Sequence, residues 1–328
     1  MHKPKSMIRK FQVCLLCLFL LAVGSTMVAC SGGDDEDPVI DTPDDDPDDE
    51  EEEVKLPVPP EFWTEHWHDH RQTLERVYYD DDLVVYYDKD VDHTVRWPFQ
   101  YIGDVWRYTK KTYGGYGDDP RLWAVFHTGR HSGGHPGYYF DDDHDNRNAI
   151  DCGDGTWLTQ EGNIDLPTHE VFHIVESASF GAKGSPGFGD PPNGVWGDSK
   201  FAEIYQYDVY LGLGLTAEAN RWKDHVMNQV NNNPKALTYW FRDWFYPIYT
   251  KYGKTKVLVE YFKLQAKYFP KAANNHFTRQ MNWGEFVHFF SGAAKTDLQE
   301  TAETAFGWTT EMEGQLYQAK IDFPDITY

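Results

Sequence analysis

Two histidines and a glutamate lie within one five-residue segment that runs from His169 to His173. If this segment is helical, the two histidines are four residues apart and leave the same helix face one turn apart. Two imidazole nitrogens placed in this way can bind one Zn²⁺ ion, at about 2.0–2.1 Å each. Glu170 would lie beside them, where its carboxylate can take a proton from a zinc-bound water. The spacing therefore predicts a zinc site at His169 and His173, with Glu170 as the general base.

The flanking residues predict the helix that this spacing requires. Asp165 is a candidate N-cap, and Pro167 falls in the first turn, where its missing N–H costs nothing. Gly181 is a suitable residue for the end of the helix. Apolar residues within and after the segment are Val171, Phe172, Ile174 and Val175. They can bury one side of the helix in a hydrophobic core.

A catalytic zinc ion usually has three protein ligands and keeps one position for water. We expect the third ligand downstream, between residues 196 and 205, where a second helix is predicted to begin. Glu203 lies one turn inside that helix, and Asp198 lies just before it. The segment resembles that of gluzincins, in which a glutamate on a second helix completes the zinc site, and this resemblance implies Glu203 as the preferred ligand, with Asp198 as the alternative. Glu176 lies on the same helix as the histidines, and one straight helix cannot easily wrap three ligands round one metal. We therefore expect Glu176 to support the site without binding the metal.

These two segments together resemble the gluzincin group of HExxH metallopeptidases, in which a glutamate on a second helix completes the zinc site. Metzincins instead continue the motif with a glycine and a third histidine, and this chain has Glu176 and Ser179 at those positions. The resemblance covers about forty residues. The gluzincin pattern has an aspartate four residues after the ligand glutamate, whereas this chain has Tyr207 there and its aspartate, Asp208, is one residue further on. It implies a zincin-like α+β fold, one catalytic Zn²⁺ and hydrolysis of peptide bonds.

In zincins a Tyr or His often hydrogen-bonds the oxyanion of the tetrahedral intermediate. The resemblance leaves four candidates for this role in the present chain. They are Tyr205, Tyr207, Tyr210 and His288. Each of them can equally be a packing residue.

Two further clusters carry weaker signals. Asp141, Asp143 and Asp145 alternate in a spacing that can surround Ca²⁺ with oxygen ligands. The segment lacks the glycine and the distant glutamate of an EF-hand loop, so a solvated acidic loop is the preferred interpretation. Three more histidines are spaced for a strand or loop and can line the rim of a cleft. They are His127, His131 and His135.

The first thirty residues predict an exported protein. Four cations precede an apolar run from 11 to 23, which is too short to span a bilayer comfortably. The run ends in Met27-Val28-Ala29-Cys30, which resembles the cleavage site of bacterial lipoproteins. This resemblance implies a signal peptide over 1–29 and a lipid on Cys30.

Residues 30–56 predict a tether between the lipid and a folded domain. Residues 31–53 hold fourteen Asp or Glu and no Lys or Arg, so they cannot bury enough apolar surface to fold. The acidic start of this segment resembles the surface-export signal of Bacteroidetes lipoproteins, and a solvating spacer is the alternative. The resemblance implies the outer membrane, with the protein lipid-anchored and exposed at the cell surface.

Charge and cysteine content argue against nucleic acid and anionic membranes as partners and against an internal disulfide. The whole chain has a formal net charge of −23. This charge argues against nucleic acid and anionic membrane surfaces as partners, so we expect membrane contact only through the lipid. Once the signal peptide is removed and Cys30 is lipidated, Cys152 is the one remaining cysteine, and no internal disulfide can form.

Residues 57–328 are predicted to form the folded domain, with an α/β lobe over 57–200 and a helical lobe over 201–328. Strands are expected over 83–87, 122–126 and around 149–150. Helices are expected over 61–79, 99–113, 165–181, 201–211, 216–230, 234–252, 256–268, 283–292 and 296–306. Strands and helices alternate first and helices alone follow, an order similar to the zincin fold.

These observations predict a zinc peptidase, by analogy an endopeptidase, that cleaves extracellular proteins, peptides or glycoproteins at the cell surface. The alternative belongs to another class: a surface binding module that keeps a zincin fold without turnover. The complete His-Glu-His set argues for the enzyme, because a decayed site usually loses one of the three.

Overall fold

Six strands form a single mixed sheet in the order β1-β2-β3-β4-β6-β5. The computed structural model describes residues 56–131, 133–153 and 155–328, so the predicted signal peptide, the lipidated Cys30 and most of the tether lie outside the described residues. The strands are β1 (Phe62–Thr64), β2 (Thr73–Tyr79), β3 (Leu83–Tyr87), β4 (Leu122–Phe126), β5 (Gly134–Gly137) and β6 (Asn148–Cys152). β3, β4 and β6 are parallel to one another, whereas β1, β2 and β5 run antiparallel to their neighbours.

The central strands are buried on both faces, which explains why their sequences are almost continuously apolar. All five residues of β3 and all five of β4 are buried. Because side chains alternate across a sheet, Val85 and Tyr87 face the larger core, while Val84 and Tyr86 face a smaller one that includes Trp123. The predicted bounds of both strands are confirmed.

The helix predicted over 61–79 is wrong, because this stretch forms β1 and β2. Residues Thr73–Tyr79 pair antiparallel with β3, and Phe62–Thr64 pair with β2. The β-branched and aromatic residues of β2 suit a half-buried sheet surface better than a helix. The residues between the two strands, 65–72, have no regular secondary structure.

The described residues contain nine α-helices, and six of them begin after Gly212. They are α1 (Trp97–Tyr113), α2 (Asp165–Ala178), α3 (Lys200–Gly212), α4 (Thr216–Val226), α5 (Tyr246–Lys251), α6 (Thr255–Tyr268), α7 (Trp283–Ala294), α8 (Gln299–Phe306) and α9 (Thr310–Asp322). The α+β class and the mainly helical C-terminal part are therefore confirmed. The long helix predicted over 234–252 is shorter, with a π-helical turn at Phe241–Phe245 leading into α5, and α9 was not predicted.

One hydrophobic core connects the sheet to the C-terminal helices, and α2 lies inside it. Its residues extend along the chain from Leu83 to Ile326. Val54–Tyr328 forms one compact unit. Phe172 of α2 packs its ring against Phe201 and Tyr205 of α3. Of the helices that the structure describes, none combines the length and the apolar character that a membrane crossing requires.

The start of α2 is held by contacts from later helices and not by a side-chain cap. The predicted N-cap role of Asp165 is wrong, since the cap position is Ile164 and no side chain caps the helix. Asp165 Oδ1 instead accepts hydrogen bonds from Tyr210 Oη at 2.6 Å and from Arg221 Nη2 at 2.6 Å. α2 ends at Ala178 and continues as a short 3₁₀ turn to Gly181, where the sequence predicted its end. These contacts fix the position of α2 against α3 and α4.

Candidate metal centre

His169, His173 and Asp198 bring three ligand atoms together at the surface of α2. His169 Nε2 and His173 Nε2 are 3.0 Å apart. Asp198 Oδ2 lies 3.5 Å from His169 Nε2, and Asp198 Oδ1 lies 3.4 Å from His173 Nε2. Ligands bound tetrahedrally at about 2.0–2.1 Å from zinc lie roughly 3.3 Å from one another. The three side chains therefore fit one zinc ion and leave its fourth position toward solvent.

The loop before α3 places Asp198 opposite the two histidines. Gly197 precedes it with φ +63, and a Cβ there would lie 2.8 Å from Asp190 Oδ1. A glycine is needed because the left-handed region strains residues with a Cβ. Gly197 N–H also donates to Gly189 O at 2.9 Å, which anchors the loop. The two histidines hold the pKa of Asp198 well below its usual range, so its carboxylate is ionised and can act as a ligand.

Glu176 orients His173 from the far side of the imidazole ring. Glu176 Oε1 lies 2.6 Å from His173 Nδ1. The carboxylate can only accept, so Nδ1 carries the hydrogen and Nε2 keeps its lone pair for a metal. Trp196 Nε1–H and Ser185 Oγ–H donate to Glu176 Oε2, at 2.8 and 3.1 Å. Glu176 thus has the supporting geometry expected from the sequence and does not join the ligand group.

The structure does not bring Glu203 to the histidine pair, and Asp198 takes the place for which Glu203 was preferred. Phe201 and Tyr205 are the residues of α3 that face α2. Residues two apart in a helix point to nearly opposite sides, so Glu203 points away from α2. It lines a neighbouring depression with Lys200 and Trp240, where burial raises its pKa to about 8.

Glu170 lies next to the ligand group in a confined position. It is buried, and burial is the main cause that raises the pKa of its carboxyl. A Cβ on Gly134 of β5 would lie 2.5 Å from Glu170 Oε1, so only a glycine leaves room for this carboxylate. Glu170 Oε2 has no hydrogen-bond partner among the residues that the structure describes. An unpartnered buried oxygen at this point is suited to a water on the metal.

The ligand group opens into a cleft of about 590 Å³. One side is formed by β5, with His135 and Pro136, and by Tyr138 just after it. The other side includes Gln206 and Trp222. His135 Nδ1 is hydrogen-bonded to Asp151 Oδ2 at 3.0 Å, and its ring stacks on Trp67. The rim position expected for His135 is confirmed.

The four oxyanion candidates from the sequence do not line this cleft. Tyr205 Oη is 2.6 Å from Thr109 Oγ1 inside the core, and Tyr210 donates to Asp165. Tyr207 packs against other tyrosines of the helical part, and His288 is hydrogen-bonded to the carbonyl of Phe323. Their helices turn these side chains inward, so they have packing roles. Of the tyrosines and histidines outside the ligand group, His135 and Tyr138 line the cleft instead.

The carboxylates of the acidic loop at 141–145 do not converge on a common point where they could bind a cation. None of Asp141, Asp143 and Asp145 belongs to a group of three or more ligand side chains within the described residues. Asp145 Oδ2 accepts a hydrogen bond from Trp63 Nε1 at 2.8 Å. His127 and His131 lie away from the cleft, in a second cluster beside His70.

Neither the protein-family models nor the curated proteins compared with this chain give a match.

Proposed function

We propose that the protein is a zinc-dependent hydrolase that cleaves peptide bonds, with Glu170 as general base. The observation that carries this proposal is the ligand group of His169, His173 and Asp198, with Glu170 beside it in an open cleft. Three protein ligands and an open fourth position are typical of catalytic zinc, whereas structural zinc is enclosed by four.

The chemistry follows from the roles of the residues. Bound Zn²⁺ would lower the pKa of water and polarise the scissile carbonyl. The Glu170 carboxylate accepts the proton of the attacking water and then delivers it to the leaving amine nitrogen. His173 stays in the required tautomer through Glu176, and Tyr138 lines the same cleft.

The cleft is suited to an extended peptide. β5 lies at one edge of the sheet and, among the described strands, pairs with β6 alone, so its other side can pair with a substrate strand. We propose that the fold is zincin-like, with α2 under this edge strand, and that the substrates are extracellular proteins, peptides or glycoproteins. The signal sequence and Cys30 support a lipid-anchored location in the outer membrane.

A peptidase assay tests the proposal directly. The purified protein supplied with Zn²⁺ should cleave casein or a mixture of unfolded peptides, because the cleft accepts extended chains. A strong chelator should abolish cleavage and added Zn²⁺ should restore it. A protein that binds zinc in this cleft without cleaving any peptide would support the alternative, a binding module on the same fold.

The third ligand can be identified by metal content. Asp198→Asn should lose the zinc ion of the cleft, since the amide is a poor ligand and the ion is left with two. Glu203→Gln is the matched control and should keep it, because Glu203 points away from the histidines. Zinc per chain in dialysed protein is the measurement. Loss of zinc in Glu203→Gln and retention in Asp198→Asn would show that Glu203 is the ligand.

A further inference from the structure

A second group of histidines and carboxylates lies outside the cleft, at the ends of β4 and β6. It consists of Glu65, His70, His127 and Asp151, and one donor atom of each lies within 4.8 Å of the others. Glu65 and His70 come from the connection between β1 and β2, His127 follows β4, and Asp151 is in β6. None of the four exposes more than 8% of its surface. The fold has therefore enclosed four potential metal ligands.

The nitrogen-to-oxygen distances in this group, 3.2–3.6 Å, are close to those between the ligands of one zinc ion. His127 Nε2 lies 3.2 Å from Glu65 Oε2 and 3.2 Å from Asp151 Oδ1. His70 Nε2 lies 3.3 Å from Asp151 Oδ2 and 3.6 Å from Glu65 Oε1. Tetrahedral ligands at about 2.0–2.1 Å from zinc are roughly 3.3 Å apart. The spacing is the same as that at His169, His173 and Asp198.

Several of these buried atoms have no hydrogen-bond partner in the part of the chain that the structure describes. They are Glu65 Oε1, His70 Nε2 and Asp151 Oδ1. A buried polar atom without a hydrogen-bond partner is destabilising, and a charged one is more so. Three such atoms around one point indicate that a bound group satisfies them together.

A further carboxylate lies at the Nδ1 atom of each of the two histidines and fixes its tautomer. Asp69 Oδ1 lies 2.7 Å from His70 Nδ1, and Asp88 Oδ2 lies 3.2 Å from His127 Nδ1. Each carboxylate accepts the Nδ1 hydrogen, so each Nε2 can present a lone pair to the shared centre. Metal-binding histidines almost always have such a partner on their other nitrogen.

The charge of the group also calls for a cation. Glu65 and Asp151 are both fully buried, and their ion-pair partners within 4.0 Å in the described chain are histidines alone. Burying carboxylates without a compensating charge costs several kcal/mol. One divalent ion together with two neutral imidazoles would neutralise both carboxylates.

We propose that Glu65, His70, His127 and Asp151 bind a second divalent metal ion, Zn²⁺, in a closed structural site. Four buried protein ligands leave no position for a substrate, unlike the three at the cleft. The ion would tie the β1–β2 connection to the ends of β4 and β6. Asp151 Oδ2 also holds His135 of the cleft, so the same ion would stabilise the cleft edge.

The first test leaves the second site untouched. The purified parent should contain two zinc ions per chain after dialysis, and the double variant His169→Ala/His173→Ala should contain one. X-ray absorption of the zinc in that variant should give four nitrogen and oxygen neighbours at about 2.0 Å. A metal-free double variant that remains folded would overturn the proposal, and the group would then be a network of protonated histidines and carboxylates. Because this readout does not depend on cleavage, it is independent of the proposed peptidase activity.

The second test removes a ligand of the new site. Glu65→Gln should lose one of two zinc ions, keep the ion of the cleft, and unfold at a lower temperature by circular dichroism. His131→Ala is the matched control, because His131 stacks on His70 but its Nε2 lies against Gln72 Nε2 and not in the ligand group. It should keep both ions. Loss of zinc in His131→Ala with none in Glu65→Gln would contradict the assigned ligands, and if Glu65→Gln does not fold the first test still decides.

Discussion

Glu170→Gln is expected to keep the zinc ion of the cleft and to lose peptide hydrolysis by roughly 10²–10⁴-fold. Glutamine preserves the shape of the side chain, which fits against Gly134, but it cannot accept a proton. His169, His173 and Asp198 are unchanged, so the metal should stay. The measurements are kcat on a peptide substrate and zinc per chain.

Glu161→Gln provides the control for this substitution. Glu161 is an exposed glutamate shortly before α2 and takes no part in the cleft, so its variant should cleave as fast as the parent. The general-base role of Glu170 would be disproved by a Glu170→Gln protein that retains full kcat. Loss of zinc in that variant would mean that the carboxylate binds the metal directly.

His173→Ala is expected to remove both the zinc ion of the cleft and the activity. This substitution deletes one of three ligands, leaving His169 and Asp198, which cannot hold the ion firmly. Glu176→Gln removes only the carboxylate that orients His173, and loss of such a supporting residue typically weakens zinc binding about 10–100-fold. Zinc affinity should therefore fall further in His173→Ala than in Glu176→Gln.

His225→Ala is the control, since His225 is exposed on α4 outside both ligand groups. It should keep the zinc content and the activity of the parent. In His173→Ala the total zinc should fall by one ion and not to zero, because the buried group around Asp151 is intact. Unchanged zinc affinity in His173→Ala would place the metal elsewhere and refute the proposed centre.

Features that depend on short-range spacing along the chain could be predicted before the fold was known. The pair His169 and His173 converges because both lie on one helix turn, and this follows from helix geometry alone. The bounds of β3 and β4 were predictable because runs that are buried on both faces are almost entirely apolar. Glu176 could likewise be recognised as a supporting residue from its place on the same helix.

The tertiary structure alone decided which distant residues meet. Asp198, and not Glu203, reaches the histidines because packing of Phe201 and Tyr205 on α2 fixes the rotation of α3 and turns Glu203 away. The rotation of a helix about its own axis depends on its neighbours and is not encoded in its spacing. For the same reason, the second ligand group could not be predicted from the sequence. Glu65 and Asp151 are far apart in the chain and meet only because the sheet order brings the β1–β2 connection over the ends of β4 and β6.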